Sequence, residues 1–417
     1  MSSFFDALET RPPEVREADL MRALSQQVAY AKIHTTAYAA ILKDVDPVDV
    51  CTREALAQLP VTRKHDLAAM QRNSRERRSD PFGGYSSASF GPTMTRVFAS
   101  PGPLYEPEGH LNNYWRVARA MHAAGFKRGD LIHNAFSYHF TPAGAIMESS
   151  AVALGCTVLP AGTGQTELQV RTMADLKPTA YAGTPSFLKI ILERAADMGL
   201  PVPSLTRALF SGEACPESLR QWFQDRGVST FQVYATADLG LLAYETAALE
   251  GLVVDESLIL EIVRPGTGDP LPVGEVGEVV VTSFNPTYPL IRFATGDLSA
   301  LLSGQCPTGR TNQRIEGWLG RADQTTKVRG MFVHPSQVAE IARRFPQVAK
   351  ARLVISGAMA NDHMCLRVEA SEADDGLQQQ IEAAVRDVTK LRALVELVQP
   401  GSLPDDGKTI EDKRSYA

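Results

Sequence analysis

The sequence predicts an α/β protein: a large N-terminal domain with a parallel sheet plus an antiparallel β subdomain, and a small C-terminal α+β domain. Three observations predict it. Between residues 130 and 236, short apolar runs alternate with amphipathic stretches, the strand–helix order of a parallel sheet covered by helices. From 241 to 315, short apolar runs are broken by turn residues, as in LILEIVRPGTGDPLPVGEVGEVVVTSF, which reads as antiparallel hairpins. After Gly317 helical and strand patterns mix again, and 417 residues are too many for one core. The predicted domains are 1–322 and 323–417.

The elements follow in chain order. Residues 17–45 read as helix, and LPVTRKHDL (Leu59–Leu67) starts another on a threonine cap. The polar stretch 72–92 reads as loop. A helix is predicted from Glu108 through LNNYWRVARAMHAAG to Gly125, where the glycine stops it. The predicted strands are then DLIHNAF (Asp130–Phe136), CTVLPAG, TAYAGTP (Thr179–Pro185), TRALFSGE and TFQVYAT. Between them the helices AGAIMESSAVALG, TELQVRTMADLKP, SFLKIILERAADMG and PESLRQWFQDRG are predicted. Past the hairpins come helix VHPSQVAEIARRF, strands ARLVISG and HMCLRVEA, a helix over 375–393 and strand LVELVQPG.

Composition narrows the class. The chain is 44% hydrophobic and 22% charged, ordinary for a soluble globular protein, and its net charge of −6 argues against a general nucleic-acid binder. No apolar run approaches a membrane span, and MSSFFDALETRPP has no secretory pattern. The five cysteines are scattered, which suits a reducing cytoplasm. Cys215 has no histidine beside it in sequence and reads as a packing residue rather than a nucleophile. A cytoplasmic protein acting on small molecules is expected, with no nucleic-acid or membrane partner. A homodimer is the common outcome for such enzymes.

Ligands of open parallel sheets collect beyond the carboxyl ends of the strands. The segments leaving those ends are FSYHFT (Phe136–Thr141), AGTP (Ala182–Pro185), SGEA (Ser211–Ala214) and YATADLG (Tyr234–Gly240). Phe136, Tyr138, His139, Tyr181, Gly183 and Thr184 suggest a mixed aromatic–polar substrate pocket. His139 either orients a substrate or is a satisfied structural residue. Two later stretches add detail. PLIRFATGDLSALL places Asp297 in a tight turn after a strand, and GRADQTTKVRGMFVHPSQVAEI combines arginine, aspartate, lysine and glycine ahead of a capped helix.

With these motifs in this order, the chain resembles the adenylate-forming ligases, specifically their phenylacetate–CoA ligase-like branch. LGCTVLPAGTGQTELQVRTMADLKPTAYAGTPSFL and PLIRFATGDL carry the resemblance most specifically. It implies an enzyme that converts a carboxylic acid and ATP to an acyl-adenylate, then to a thioester with coenzyme A. It also implies Mg²⁺ and a mobile C-terminal lid hinged at Asp323. Asp297 would accept hydrogen bonds from the ribose hydroxyls; standing alone it would simply close a turn. Tyr234 would stack on adenine, with Gly212, Glu213 and Ala214 at its edge and Ala235 and Thr236 beside it. Asp238 would carry the metal between phosphates; one methylene shorter than the usual glutamate, it favours a water-mediated contact or a plain helix-cap role. Arg321 would reach ribose or phosphate, Gly330 and Met331 the pantetheine tunnel. Lys408 would hold the carboxylate against the α-phosphate, with Lys413 next in line. AYETAALEGLVVDES lacks the Cys and His of a zinc site found in some relatives, so no structural zinc is expected.

One stretch departs from the family. FASPGPLYEPEGH stands at the slot of a phosphate loop rich in serine, threonine and glycine and ending in Gly-Lys. Pro101 and Pro103 have no N–H to give around Gly102, no lysine or arginine lies between Phe98 and His110, and Glu106 and Glu108 would repel a triphosphate. A stiff, donor-poor loop is expected, with Ser100 and Gly102 as the remaining phosphate contacts and Thr93, Thr95 or Arg96 as substitutes. The alternatives are an enzyme limited to the thioester half-reaction and a non-catalytic nucleotide- or acyl-CoA-binding protein of the same fold.

Overall fold

A computed structural model describes residues 3–77, 79–100, 104–324, 326–328, 331–358, 361–370, 375–406 and 408–414. The chain divides into two compact units, Met1–Thr295 with Ala300–Gly317 and Gly296–Ser299 with Trp318–Ala417. The first unit opens with helices α1 (Pro13–His34), α2 (Thr36–Ile41) and α3 (Arg53–Ala57). The helix predicted over 17–45 breaks at Thr35, which is extended and accepts a hydrogen bond from the Tyr38 N–H as the cap of α2. Leu20, Leu24 and Val28 of α1 enter the core at helical spacing.

Strand β1 (Thr62–Arg63) runs straight into α4 (Lys64–Glu76). The expected threonine cap is corrected here: Thr62 pairs in parallel with Phe293, and Arg63 takes the cap position without a side-chain bond. Helix α4 also covers the start of the predicted loop at 72–92. Next, β2 (Arg96–Ser100) and β3 (Leu104–Glu108) form an antiparallel hairpin in register from Arg96 against Glu108 to Ser100 against Leu104. The stiff loop of the sequence reading is therefore a hairpin whose tip, residues 101–103, lies outside the described residues. The helix predicted from Glu108 shrinks to α5 (Ala118–Ala123). Tertiary bonds override helix propensity there. The Arg116 guanidinium bonds to Asp255 and to the carbonyls of Leu239 and Leu241, and Asn113 and Arg116 take positive φ.

The predicted alternation then follows: β4 (Leu131–Asn134), α6 (Ala143–Leu154), β5 (Thr157–Pro160), α7 (Thr166–Leu176), β6 (Ala180–Gly183), α8 (Pro185–Asp197), β7 (Arg207–Phe210), α9 (Glu217–Gln224) and β8 (Ser229–Thr236). These strands are parallel in the order β5-β4-β6-β7-β8. Helices cover both faces, as the alternation along β6 records. Ala180 and Ala182 pack with Met121 and Ile146, while Tyr181 between them packs with Val170, Leu188 and Phe223. Beyond β8 the sheet continues through β9 (Gly240–Tyr244) and β10 (Leu252–Val254), both paired antiparallel. Strands β11 (Leu258–Val263), β12 (Gly277–Ser283) and β13 (Phe293–Ser299) form a second sheet in the order β1-β13-β12-β11. Strands β14 (Leu301–Leu302) and β15 (Arg314–Ile315) return to the edge of the first sheet.

The second unit has its own core. It contains β16 (Thr326–Val328), β17 (Met331–Val333), α10 (Pro335–Arg343), β18 (Val348–Ala358), β19 (Asn361–Ala370), α11 (Asp375–Thr389), β20 (Leu394–Val398) and β21 (Ile410–Asp412). Its four-stranded sheet, β20-β19-β18-β21, packs Leu353, Ile355 and Leu366 against Ile341 of α10 and Ile381 and Val385 of α11. Pro335 opens α10 at the position where a missing N–H costs nothing.

Candidate active site

A cavity of about 230 Å³ opens at the carboxyl ends of the parallel strands. Its wall takes Ser100 from the end of β2, Phe136 after β4, Ser211 and Gly212 after β7, and Ala235 and Thr236 at the end of β8, followed by Ala237. The structure thus brings together five residues expected from the sequence: Ser100, Phe136, Gly212, Ala235 and Thr236. Thr141, Ser211 and Ala237 fall in the segments expected at the strand ends, whereas the residues of α6 were not foreseen. Thr141 and Pro142 lead into α6, and Ala143, Ile146 and Met147 line the cavity from its first turns. The signal for them was present, because positions i, i+3 and i+4 share one helix face.

Five residues expected in the pocket are placed off this wall. Tyr138 is half-exposed and its hydroxyl accepts from the Asn134 side-chain amide at 2.7 Å; His139 is exposed. Tyr181 is wholly buried and donates its hydroxyl to the Thr184 carbonyl at 3.3 Å. Thr184 caps α8 by accepting from the Phe187 N–H. A Cβ on Gly183 would stand 2.2 Å from the Tyr181 hydroxyl, so the glycine is explained by packing. Beside Phe136 and the apolar α6 side chains, Ser100, Thr141, Ser211 and Thr236 line the cavity, while period-two alternation turns Tyr181 into the helix-packed face.

Tyr234 is half-buried in β8 and donates its hydroxyl to Thr295 Oγ1 at 3.2 Å. After β7, Glu213 accepts from the Ser186 N–H at 3.4 Å, and Ala214 is exposed. Thr236 Oγ1 accepts from the Leu239 N–H at 3.2 Å, tightening the turn that carries Asp238. In the second unit, Asp297 lies within β13 rather than in a turn. Its Oδ1 accepts from Trp318 Nε1 and Arg321 Nη1, each at 3.1 Å. Gly296 beside it has φ 76°, and a Cβ there would meet Arg321 Nη2 at 2.6 Å; only glycine admits the guanidinium this closely. Asp323 falls in the 3₁₀ turn Ala322–Gln324. Lys408 is exposed, its backbone N–H donating to Asp406 Oδ1 at 3.1 Å, and Lys413 Nζ lies 3.4 Å from Glu411. Gly102 and Gly330 lie outside the described residues.

The hairpin acids differ from each other. Glu108 accepts from Arg96 Nη1 through both oxygens at 3.0 and 3.1 Å, so its charge is met by the guanidinium. Thr95 Oγ1 pairs with His110 Nδ1 at 3.1 Å, and the Thr93 hydroxyl donates to the Ser89 carbonyl. Glu106 is 0% exposed, and both its oxygens are buried without a hydrogen-bond partner. Burial, and then the charge of Asp238, push its carboxyl up to about 8, with Ser100 and Lys64 opposing. The repulsion expected from two glutamates is therefore muted: one is neutralised by arginine and the other holds its proton at neutral pH.

Asp238 is buried, with Oδ2 at 2.9 Å from Lys64 Nζ and Oδ1 without a partner. The unpartnered oxygen of Asp238 is a hard donor that fits Mg²⁺. Among the described residues no group of three or more His, Cys, Asp or Glu is arranged to hold a metal. A Mg²⁺ here would therefore draw most of its ligands from phosphate and water.

The Glu106 environment makes a pH prediction. The folded carboxyl keeps its proton to about 8, whereas an unfolded one releases it near 4.5. Between those values the native state binds more protons, so its contribution to stability falls as pH rises. Glu106→Gln is expected to flatten that fall and to gain on the wild type above pH ~8, by on the order of a few kcal/mol. Urea melts of both proteins from pH ~5 to ~9 read it; parallel curves would show that Glu106 does not titrate there.

Comparisons with known proteins agree with this architecture. The AMP-binding enzyme family matches residues 109–287, starting just past the hairpin, and the AMP-binding enzyme C-terminal domain matches residues 330–414. The phenylacetate-coenzyme A ligase of Thermus thermophilus is 30% identical over 95% of both chains. That of Aromatoleum evansii is 31% identical, over 83% of this chain and 80% of its own. Among solved structures, an open conformation of 2-hydroxyisobutyryl-CoA ligase in complex with 2-HIB-AMP and CoA superposes with a TM-score of 0.85. It is 24% identical and covers 98% of this chain and 94% of its own, a likeness of fold. Among the described residues no helix is long and apolar enough to cross a membrane. With near-complete coverage at this identity, the chain belongs to the AMP-binding enzyme family, in its phenylacetate–coenzyme A ligase-like branch.

Proposed function

We propose that the chain is an ATP-dependent carboxylic acid–CoA ligase. The observation that carries it is the cavity at the strand ends, walled by apolar groups and rimmed by Ser100, Ser211 and Thr236, in a chain related end to end to ligases of this kind. In the first step a carboxylate oxygen attacks the α-phosphorus of ATP and the bond to pyrophosphate breaks. In the second the CoA sulfur attacks the acyl carbon, its proton is lost, and AMP departs with the C–O bond electrons.

Each residue then has a task. Tyr234 offers a stacking face to adenine, the Gly212–Ala214 backbone meets the adenine edge, and Asp297 with Arg321 receives the ribose. Lys408 holds the carboxylate against the α-phosphate, carried by a lid over 323–417 with Asp323 as hinge. Gly330 borders the pantetheine. Asp238 would hold Mg²⁺, which supplies charge neutralisation at the phosphates. Among the described residues no charged side chain lines the cavity, which supports an aryl or compact acid whose acyl body carries no charge. We place the enzyme in the cytoplasm and expect a homodimer.

Pyrophosphate release across a panel of aromatic and short hydroxy acids, with and without CoA, tests this. Release that needs both acid and ATP, and thioester only when CoA is added, is the expected pattern. No ATP-dependent product with any acid, alongside measurable AMP binding, would leave the non-catalytic nucleotide-binding reading in its place. Asp297→Ala is expected to weaken AMP binding roughly tenfold or more by calorimetry, the worth of a charge-assisted hydrogen bond. Unchanged affinity would remove the ribose from Asp297.

A further inference from the structure

We propose that Lys64 is the cation that meets the nucleotide's phosphates in this chain, doing from another element what a lysine at the end of a phosphate loop would do. The inference rests on the nucleotide reading of the cavity above.

The hairpin has no cation for the task. No lysine or arginine lies between Phe98 and His110, and Arg96 at its base is engaged by both oxygens of Glu108. Arg63, the neighbour of Lys64, is bound to Glu278 at 2.9 Å. Lys64 differs from both. Its Nζ lies 2.9 Å from Asp238 Oδ2, and that is its one side-chain hydrogen bond among the described residues, so two of its three N–H donors remain for a ligand. Its side chain is 39% exposed, against 2% for the aspartate that holds it. Asp238 directly follows Ala237 on the cavity wall, and Glu106, whose carboxyl senses Lys64, lies in the strand returning from the cavity residue Ser100. The ammonium is therefore held by an acid one residue along the chain from the cavity wall.

Two further facts separate this from an ordinary ion pair. Lys64 is the first residue of α4, where the helix dipole disfavours a cation, so local preference does not explain it. Its backbone is also fixed, since β1 immediately before it pairs with Phe293 and Ala294. A lysine at a disfavoured, immobilised position, holding a buried acid with one donor and keeping two outward, is built to receive an anion. The Asp238 charge keeps the site from attracting anions indiscriminately; a polyphosphate brings enough charge to compete with Asp238 for Lys64.

The test is calorimetric binding of ATP and of adenosine in EDTA, which removes any metal role of Asp238. Lys64→Gln is expected to weaken ATP at least tenfold and to leave adenosine within about twofold. Because that variant leaves Asp238 buried and unpaired, the pair Asp238→Asn and Lys64→Gln/Asp238→Asn is measured as well. Loss of ATP affinity between those two, with adenosine constant, supports a phosphate contact. Equal ATP affinity of those two proteins, or parallel loss of ATP and adenosine, would overturn it and leave Lys64 as a counter-ion only. If no acid supports pyrophosphate release but the ATP–adenosine split persists, the ligase reading fails while this one stands.

Discussion

Lys408→Ala is expected to slow acyl-adenylate formation by roughly two to three orders of magnitude while leaving the melting temperature where it was. The separation follows from where the residue sits. Lys408 is exposed, and its one described hydrogen bond comes from the backbone N–H, which alanine retains. Its neighbourhood is held by other pairs, notably Arg352 with Asp406 and the Lys350 Nζ bond to the Pro404 carbonyl. The ammonium is thus absent from the forces that build the domain, and any loss belongs to chemistry. Pyrophosphate release in a single turnover measures it. Preformed acyl-adenylate supplied with CoA should still give thioester, since that step does not need the carboxylate held against phosphorus. A variant that adenylates at full rate would move the role to Lys413.

The largest effect on stability is expected at Arg292→Ala. Arg292 is 2% exposed and every arm of its guanidinium is used. Nε and Nη2 bond to Glu261 at 3.1 and 3.0 Å, Nη1 to the carbonyls of Ala57 and Leu59 at 2.7 and 2.6 Å, and Nη2 to that of Gly268 at 2.7 Å. Alanine would leave a buried carboxylate and three carbonyls without this donor, a loss of about 3–5 kcal/mol. Burial already pushes the Glu261 carboxyl up and Arg292 pulls it back, so the deficit should grow as pH rises and the acid must ionise. Adding Glu261→Leu should recover most of the loss, because it removes the unpaired charge. Urea melts of the single and double variants decide it; equal instability in both would mean that the carbonyl bonds dominate.

These two residues also mark how far the sequence could be read. Lys408 was singled out by its place in PDDGK alone, because a motif carries position along the chain. Arg292 stood in PLIRFATGDL with no visible task, because its partners are 31 residues away at Glu261 and 235 at Ala57. The same limit hid Lys64, 174 residues from Asp238. Charged side chains choose partners by distance in space, and nothing in a local pattern encodes that distance.

Asp297 shows a milder case. Gly-Asp reads locally as a turn, but β13 runs through it, and Gly296 bends the strand just enough to admit Arg321. The segment 96–108 is the sharpest. Its prolines argued for a stiff loop; Pro101 and Pro103 lie outside the described residues, and the residues on either side close a ladder from Arg96 against Glu108 to Ser100 against Leu104. The strand–helix alternation over 130–236 and the order of the motifs were set by the sequence alone, since periods of 2 and 3.6 residues are local. The pairing of β2 with β3, the α6 wall of the cavity and the Lys64–Asp238 pair were decided only in three dimensions. There, burial and the pairing of distant charges outweigh the small conformational preferences of single residues.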